Sequence, residues 1–145
     1  MENLDEVIFY TIESAIKTYR QLAQRNISAS GLDITIDQWL IMKVVLENGE
    51  LKQNEMAEKV FKDAASVTRI IDLLINKEYL SREVHGSDRR RTQLKLTSKG
   101  KSILFKVQVI VEKNRELALK GISESKIKYM SKLLSIVISN CNKQS

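Results

Sequence analysis

Proline is absent from the 145-residue chain, and cysteine and histidine occur once each. Cys141 has no partner for an internal disulfide and His85 alone cannot build a His-rich metal site, so a disulfide scaffold and a zinc ribbon are both excluded. Also missing is any apolar run approaching the roughly 18 residues that a membrane-spanning helix requires. The opening Met1-Glu2-Asn3-Leu4-Asp5-Glu6 is acidic where a secretory signal would be basic, and the expected location is the cytoplasm. No proline-rich, repetitive or low-complexity stretch marks a linker, and the length suits one domain rather than two independent cores. One His and one Cys far apart along the chain do not supply a nucleophile with its base. The chain is therefore not expected to be an enzyme, and neither a cofactor nor a metal is expected.

What is present is segregated charge. Residues 1 to 81 carry 9 basic and 13 acidic side chains, residues 82 to 101 carry 7 and 2, and residues 102 to 145 carry 8 and 3. A basic segment concentrated in twenty residues points to a polyanion partner more than the overall +6 does, because phosphate contacts supply most sequence-independent affinity for nucleic acid. A solvated basic loop is the bland alternative.

Hydrophobic periodicity predicts mainly helix. Leu4, Val7, Ile8, Ile12, Ala15, Ile16, Tyr19 and Leu22 recur on one helix face, followed by turn-like composition from Asn26 to Asp33. Thr35 or Asp37 can cap a second helix, which Asn48-Gly49 ends with residues that tolerate a left-handed backbone. Two short helical patterns, Gln53 to Val60 and Asp63 to Lys77, are separated only by Phe61 and Lys62, the outline of a helix-turn-helix. Phe61 is expected to plug the gap between the two helices. The period then shifts: Leu80 to Val84 and Thr92 to Leu96 read as strands of a β-hairpin whose tip carries His85, Gly86, Ser87, Asp88 and three arginines. A helix starting at Thr97 or Ser98 runs towards Gly121. Ser123 caps a last one, with Ile127, Met130, Leu133, Leu134, Val137 and Cys141 on its apolar stripe; Cys141 is expected to be buried there. The fold class is thus mainly α with a small β-hairpin wing, a winged helix-turn-helix core with additional helices at both ends.

In the second helix of the motif, Val67, Ile70, Ile71 and Leu74 form the inward stripe, and Lys62, Ala65, Ser66, Thr68 and Arg69 lie at its leading, outward side. Small and polar residues suit entry into a major groove. Arg69 can bond a guanine edge or a phosphate, Ser66 and Thr68 either, and the Ala65 methyl can meet a thymine methyl. The hairpin adds Asp88, Arg89, Arg90 and Arg91. Three adjacent guanidiniums repel one another without an anion, and a narrow minor groove supplies one.

At these residues the sequence resembles the MarR family. Ala65-Ser66-Val67-Thr68-Arg69-Ile70-Ile71 is similar to that family's recognition helix. Asp88-Arg89-Arg90-Arg91-Thr92-Gln93-Leu94-Lys95-Leu96-Thr97-Ser98-Lys99-Gly100 is similar to its wing signature, and Gln53-Asn54-Glu55-Met56-Ala57 to the first helix of the motif. The resemblance implies that Arg90 enters the minor groove, that Asp88 orients it, and that Arg82 occupies the matching position on the first wing strand. Glu78 stands where the family usually has glycine, and Lys52 where it usually has a capping Ser or Thr.

It also implies one domain over residues 1–145, with a winged lobe at 35–100 and dimerisation helices at 1–24 and 101–145. The first, fifth and sixth helices are expected to lie outside the winged core, where a twofold partner would cover their apolar stripes. The implied function is sequence-specific binding of double-stranded DNA at a pseudo-palindromic operator by a homodimeric transcriptional regulator. It would be a repressor answering to a small aromatic or anionic effector. Tyr10, Tyr19 and Trp39 are aromatic candidates for an effector pocket, although aromatics at helical spacing more often belong to a core. A winged-helix module that binds protein or structured RNA through the same basic surface stays open at this point.

Overall fold

A computed structural model describes residues 1–85 and 88–144, with the backbone alone at 85 and 88–92. A 3-10 turn at Leu4–Glu6 precedes α1 (Ile8–Ala29), α2 (Ile36–Glu47), α3 (Gln53–Val60), α4 (Ala64–Asn76), β1 (Leu80–His85), β2 (Asp88–Leu96), α5 (Ser98–Ala118) and α6 (Glu124–Asn142). The strands form one antiparallel hairpin, as the change of hydrophobic period predicts. Among the described residues no helix is long and apolar enough to cross a membrane. Contacts divide the chain into two compact units, Met1–Asn114 and Arg115–Ser145.

The core of the first unit gathers Ile27 from α1, Trp39, Ile41, Met42 and Val45 from α2, and Met56 and Val60 from α3. Val67, Ile71 and Leu74 come from α4, and Leu80 and Leu94 from the hairpin. Ile103, Leu104, Val107 and Val111 of α5 are buried in the same cluster. This differs from the expectation that the fifth helix lies outside the winged core: its apolar stripe is part of it. The second unit holds the end of α5 and α6, and α6 contains no buried residue.

The caps follow local chemistry. Thr35, not Asp37, caps α2: its Oγ1 accepts from Gln38 N–H at 3.1 Å while Gln38 Oε1 accepts from Thr35 N–H at 3.1 Å. Thr97 caps α5 by accepting from Gly100 N–H at 2.9 Å, and its hydroxyl donates to the Glu78 carbonyl, so one side chain ties the exit of the wing to the exit of α4. Ser123 caps α6.

Several expectations are corrected. Helix α1 begins only after a break at Val7 and runs on through Ser28 to Ala29 despite the polar composition there. Burial of Ile27 and a 2.6 Å bond from Asn26 Nδ2 to Asn114 Oδ1 on α5 outweigh local propensity. Gly49 is needed for close approach and not for a left-handed backbone. A Cβ there would overlap the Leu94 carbonyl, and its own carbonyl accepts from Leu94 N–H at 3.0 Å. Phe61 plugs nothing: it is 93% exposed, in a left-handed conformation with φ 60°. Cys141 is exposed in this chain.

Candidate nucleic-acid interface

Helix α3 and helix α4 are joined by Phe61, Lys62 and Asp63, and the left-handed Phe61 lets the chain reverse within so few residues. Lys62 N–H donates back to the Ala57 carbonyl at 3.0 Å. Asp63 then caps α4, its Oδ1 accepting from Ser66 N–H at 2.8 Å. That backbone hydrogen bond, followed by one from the Ser66 hydroxyl, lowers the exposed Asp63 carboxyl from its ordinary value.

Above this cap the outward face of α4 is ordered. Ala65 and Arg69 are exposed, and Ser66 and Thr68 are half-buried. Ser66 Oγ donates to Asp63 Oδ2 at 2.9 Å, and Arg69 Nη2 reaches Ser66 Oγ at 3.4 Å. Thr68 Oγ1 lies 2.6 Å from Gln53 Oε1 at the start of α3 and 2.9 Å from the Ala64 carbonyl. Gln53, which sequence reasoning passed over, therefore braces the recognition helix against the first helix of the motif. Its position at the first residue of α3 is visible in the sequence, but its partner fifteen residues away is not.

Lys62 is held from behind. Its Nζ is 3.2 Å from Asp37 Oδ2, while Arg20 Nη2 of α1 donates to Asp37 Oδ1 at 2.8 Å. Burial alone would raise the Asp37 carboxyl, but the hydrogen bonds and charges of Arg20 and Lys62 outweigh it and leave the group below its ordinary value. One carboxylate thus links the first helix, the second helix and the helix-turn-helix turn.

The wing leaves α4 through Glu78, left-handed at φ 63°, where the resemblance expects glycine; the turn is kept although the residue is not. Leu80 and Leu94 anchor the hairpin base in the core. Arg82 Nη2 lies 3.3 Å from Asp72 Oδ1 on the outward side of α4, and Lys95 Nζ pairs across the strands with Glu83 at 2.8 Å. The register shifts between Val84 and His85, with Val84 opposite Thr92 and His85 opposite Asp88. The backbone of Asp88, Arg89, Arg90 and Arg91 belongs to β2 and not to a loop at the tip. The side chains of these four residues and of His85, and the turn residues Gly86 and Ser87, lie outside the described residues.

So the structure brings Lys62, Ala65, Ser66, Thr68, Arg69 and Arg82 to one helix-turn-helix and the adjoining wing strand, all in the first unit. The MarR family model matches residues 34–92, the span from the start of α2 into the second wing strand. Over these residues the chain is similar to the MarR family. The chain is 26% identical over 143 residues to the uncharacterized HTH-type transcriptional regulator YhbI of Bacillus subtilis (strain 168), covering 97% of this chain and 92% of that one. Its fold matches a mutant MarR from E. coli complexed with operator DNA, with a TM-score of 0.80, 21% identity, and coverage of 94% of this chain and 99% of that one. It also matches BpsR of Bordetella bronchiseptica, whose structure concerns regulation of DNA binding by 6-hydroxynicotinic acid, with a TM-score of 0.82, 18% identity, and coverage of 94% and 96%.

Proposed function

We propose that this chain is a MarR-family regulator of transcription that binds double-stranded DNA sequence-specifically, acting in the cytoplasm as a homodimer on a pseudo-palindromic operator. The observation that carries the reading is the outward face of α4. Ser66 and Thr68 are held in place by Asp63 and Gln53 beside the exposed Ala65 and Arg69, and the helix is followed by a hairpin whose second strand is rich in arginine. Helix α4 enters the major groove with Arg69 on a guanine edge or a phosphate. Lys62 exchanges Asp37 for a backbone phosphate, and Arg90 enters the minor groove with Asp88 orienting it and Arg89 and Arg91 beside it. Arg82, through Asp72, fixes the wing to the recognition helix as well as adding positive charge.

Dimerisation is supported by apolar surface left open on the terminal helices. Ile8, Phe9 and Ile16 of α1 are exposed, as are Tyr129, Met130, Leu133, Ile136 and Ile138 of α6. The action is repression relieved by a small aromatic or anionic effector, a chemical class that includes the 6-hydroxynicotinic acid that regulates DNA binding of BpsR. An effector lowers operator affinity only by binding the DNA-free arrangement more tightly.

The test is the salt dependence of duplex binding. The wild type should show a steep log–log slope, and Arg90→Ala should bind all duplexes more weakly with the slope reduced by about 1. A shallow slope, indifferent to Arg90, contradicts the reading.

A further inference from the structure

A serine or threonine on a recognition helix ordinarily reads either kind of base edge, because its hydroxyl has one proton to donate and two lone pairs to accept with. Here both protons are already committed. Ser66 Oγ faces the Asp63 carboxylate at 2.9 Å, and an ionised carboxylate only accepts. Thr68 Oγ1 faces Gln53 Oε1 and the Ala64 carbonyl, at 2.6 and 2.9 Å. Were the Gln53 amide turned so that its nitrogen donated to Thr68, the Ala64 carbonyl would still take the threonine proton. Each hydroxyl therefore commits its proton to an acceptor of the protein itself and has lone pairs left to offer a donor. Arg69 Nη2, 3.4 Å from Ser66 Oγ, draws on one of the serine lone pairs and leaves the other.

We propose that Ser66 and Thr68 act as hydrogen-bond acceptors towards DNA, so that the base pairs opposite them are selected for an exocyclic amine in the major groove, adenine N6 or cytosine N4. The same polarity excludes thymine O4 and guanine O6 and N7, whose lone pairs would meet lone pairs. Arg69, a donor only, takes the complementary edge and selects guanine. The helix is thus a reader of mixed polarity, with donor and acceptor positions set by Asp63 and Gln53, which need not touch a base.

This inference rests on α4 entering the major groove, and its test keeps the two claims apart. Once an operator has been selected, each adenine is replaced singly by purine, and each cytosine by 2-pyrimidinone, which removes the amine and keeps the ring. Affinities are measured for the wild type, Ser66→Ala, Thr68→Val and Thr68→Ser. In the wild type, one or two analogue positions per half-site should cost about 3- to 10-fold, the range of a single neutral hydrogen bond. The same analogue should cost nothing further in the matching Ala or Val variant, while Thr68→Ser should retain the wild-type loss at the Thr68 position. If the analogue losses persist undiminished in both variants, or if the variants couple instead to positions bearing only acceptors, the polarity assignment is overturned while DNA reading stands. Failure to select any operator overturns the reading beneath it.

Discussion

Gly49 and Leu94 are in backbone contact: the Leu94 N–H donates to the Gly49 carbonyl at 3.0 Å, and the space a Cβ would take at Gly49 is filled by the Leu94 carbonyl. This contact helps to seat the second wing strand beside the end of α2. Gly49→Ala must displace one or the other, so the variant should lose about 1–3 kcal/mol, the usual cost of overpacking. Urea unfolding checks the loss. Because the wing base shifts with it, duplex affinity should fall even under conditions where the variant remains folded.

Among the described residues two non-glycine residues hold left-handed conformations, Phe61 at the helix-turn-helix turn and Glu78 at the start of the wing. Glycine removes the steric penalty at either place but also gives freedom to the unfolded chain, and the first effect is the larger. Phe61→Gly and Glu78→Gly should each stabilise the protein by roughly 0.5–1 kcal/mol. The exposed Phe61 ring offers no core packing to lose. Thermal unfolding of both variants and of the double variant checks this, with nearly additive gains expected.

Asp37 carries a pH signature. Its carboxyl is lowered in the folded chain by Arg20 and Lys62 acting against burial, so its contribution is present above the ordinary value of 3.8 and is lost as pH falls through the lower folded value. Asp37→Asn should therefore be less stable than wild type near neutrality, by on the order of 1 kcal/mol or less since the pairs are partly exposed. The difference should close below about pH 4. Denaturant titrations of both proteins at pH 7, 5 and 3 test the sign.

The apolar residues of α6 predict its partner. Leu133→Glu and Ile136→Glu place charge where a twofold interface would bury it, and should convert a dimer to a monomer in sedimentation equilibrium with little change in helical content. An unchanged dimer would take α6 out of the interface.

Much of this was legible from the residues, and the gaps have physical reasons. Helix α3 and its spacing from α4 are written in local periodicity and capping chemistry, as are Thr35, Thr97 and Ser123. The end of α1 is not, because Asn26 is held by Asn114 of α5, nearly ninety positions away, and Ile27 is buried in the core. The role of Gly49 depends on Leu94, and the polarity of Thr68 on Gln53; neither partner is adjacent in sequence. Phe61 misled because aromatics usually bury, whereas here the turn points it outward. Among the candidate site residues, those on α4 are now placed with their partners, while Asp88 to Arg91 are placed by backbone alone.

The most direct measurement is selection of bound duplexes from a random DNA pool at two salt concentrations, with Arg90→Ala alongside. The account predicts a pseudo-palindrome with half-sites about one helical turn apart, bound more weakly as salt rises and poorly by the variant. A pool that yields no enriched sequence would contradict it and assign the same basic surface to a protein or a structured RNA.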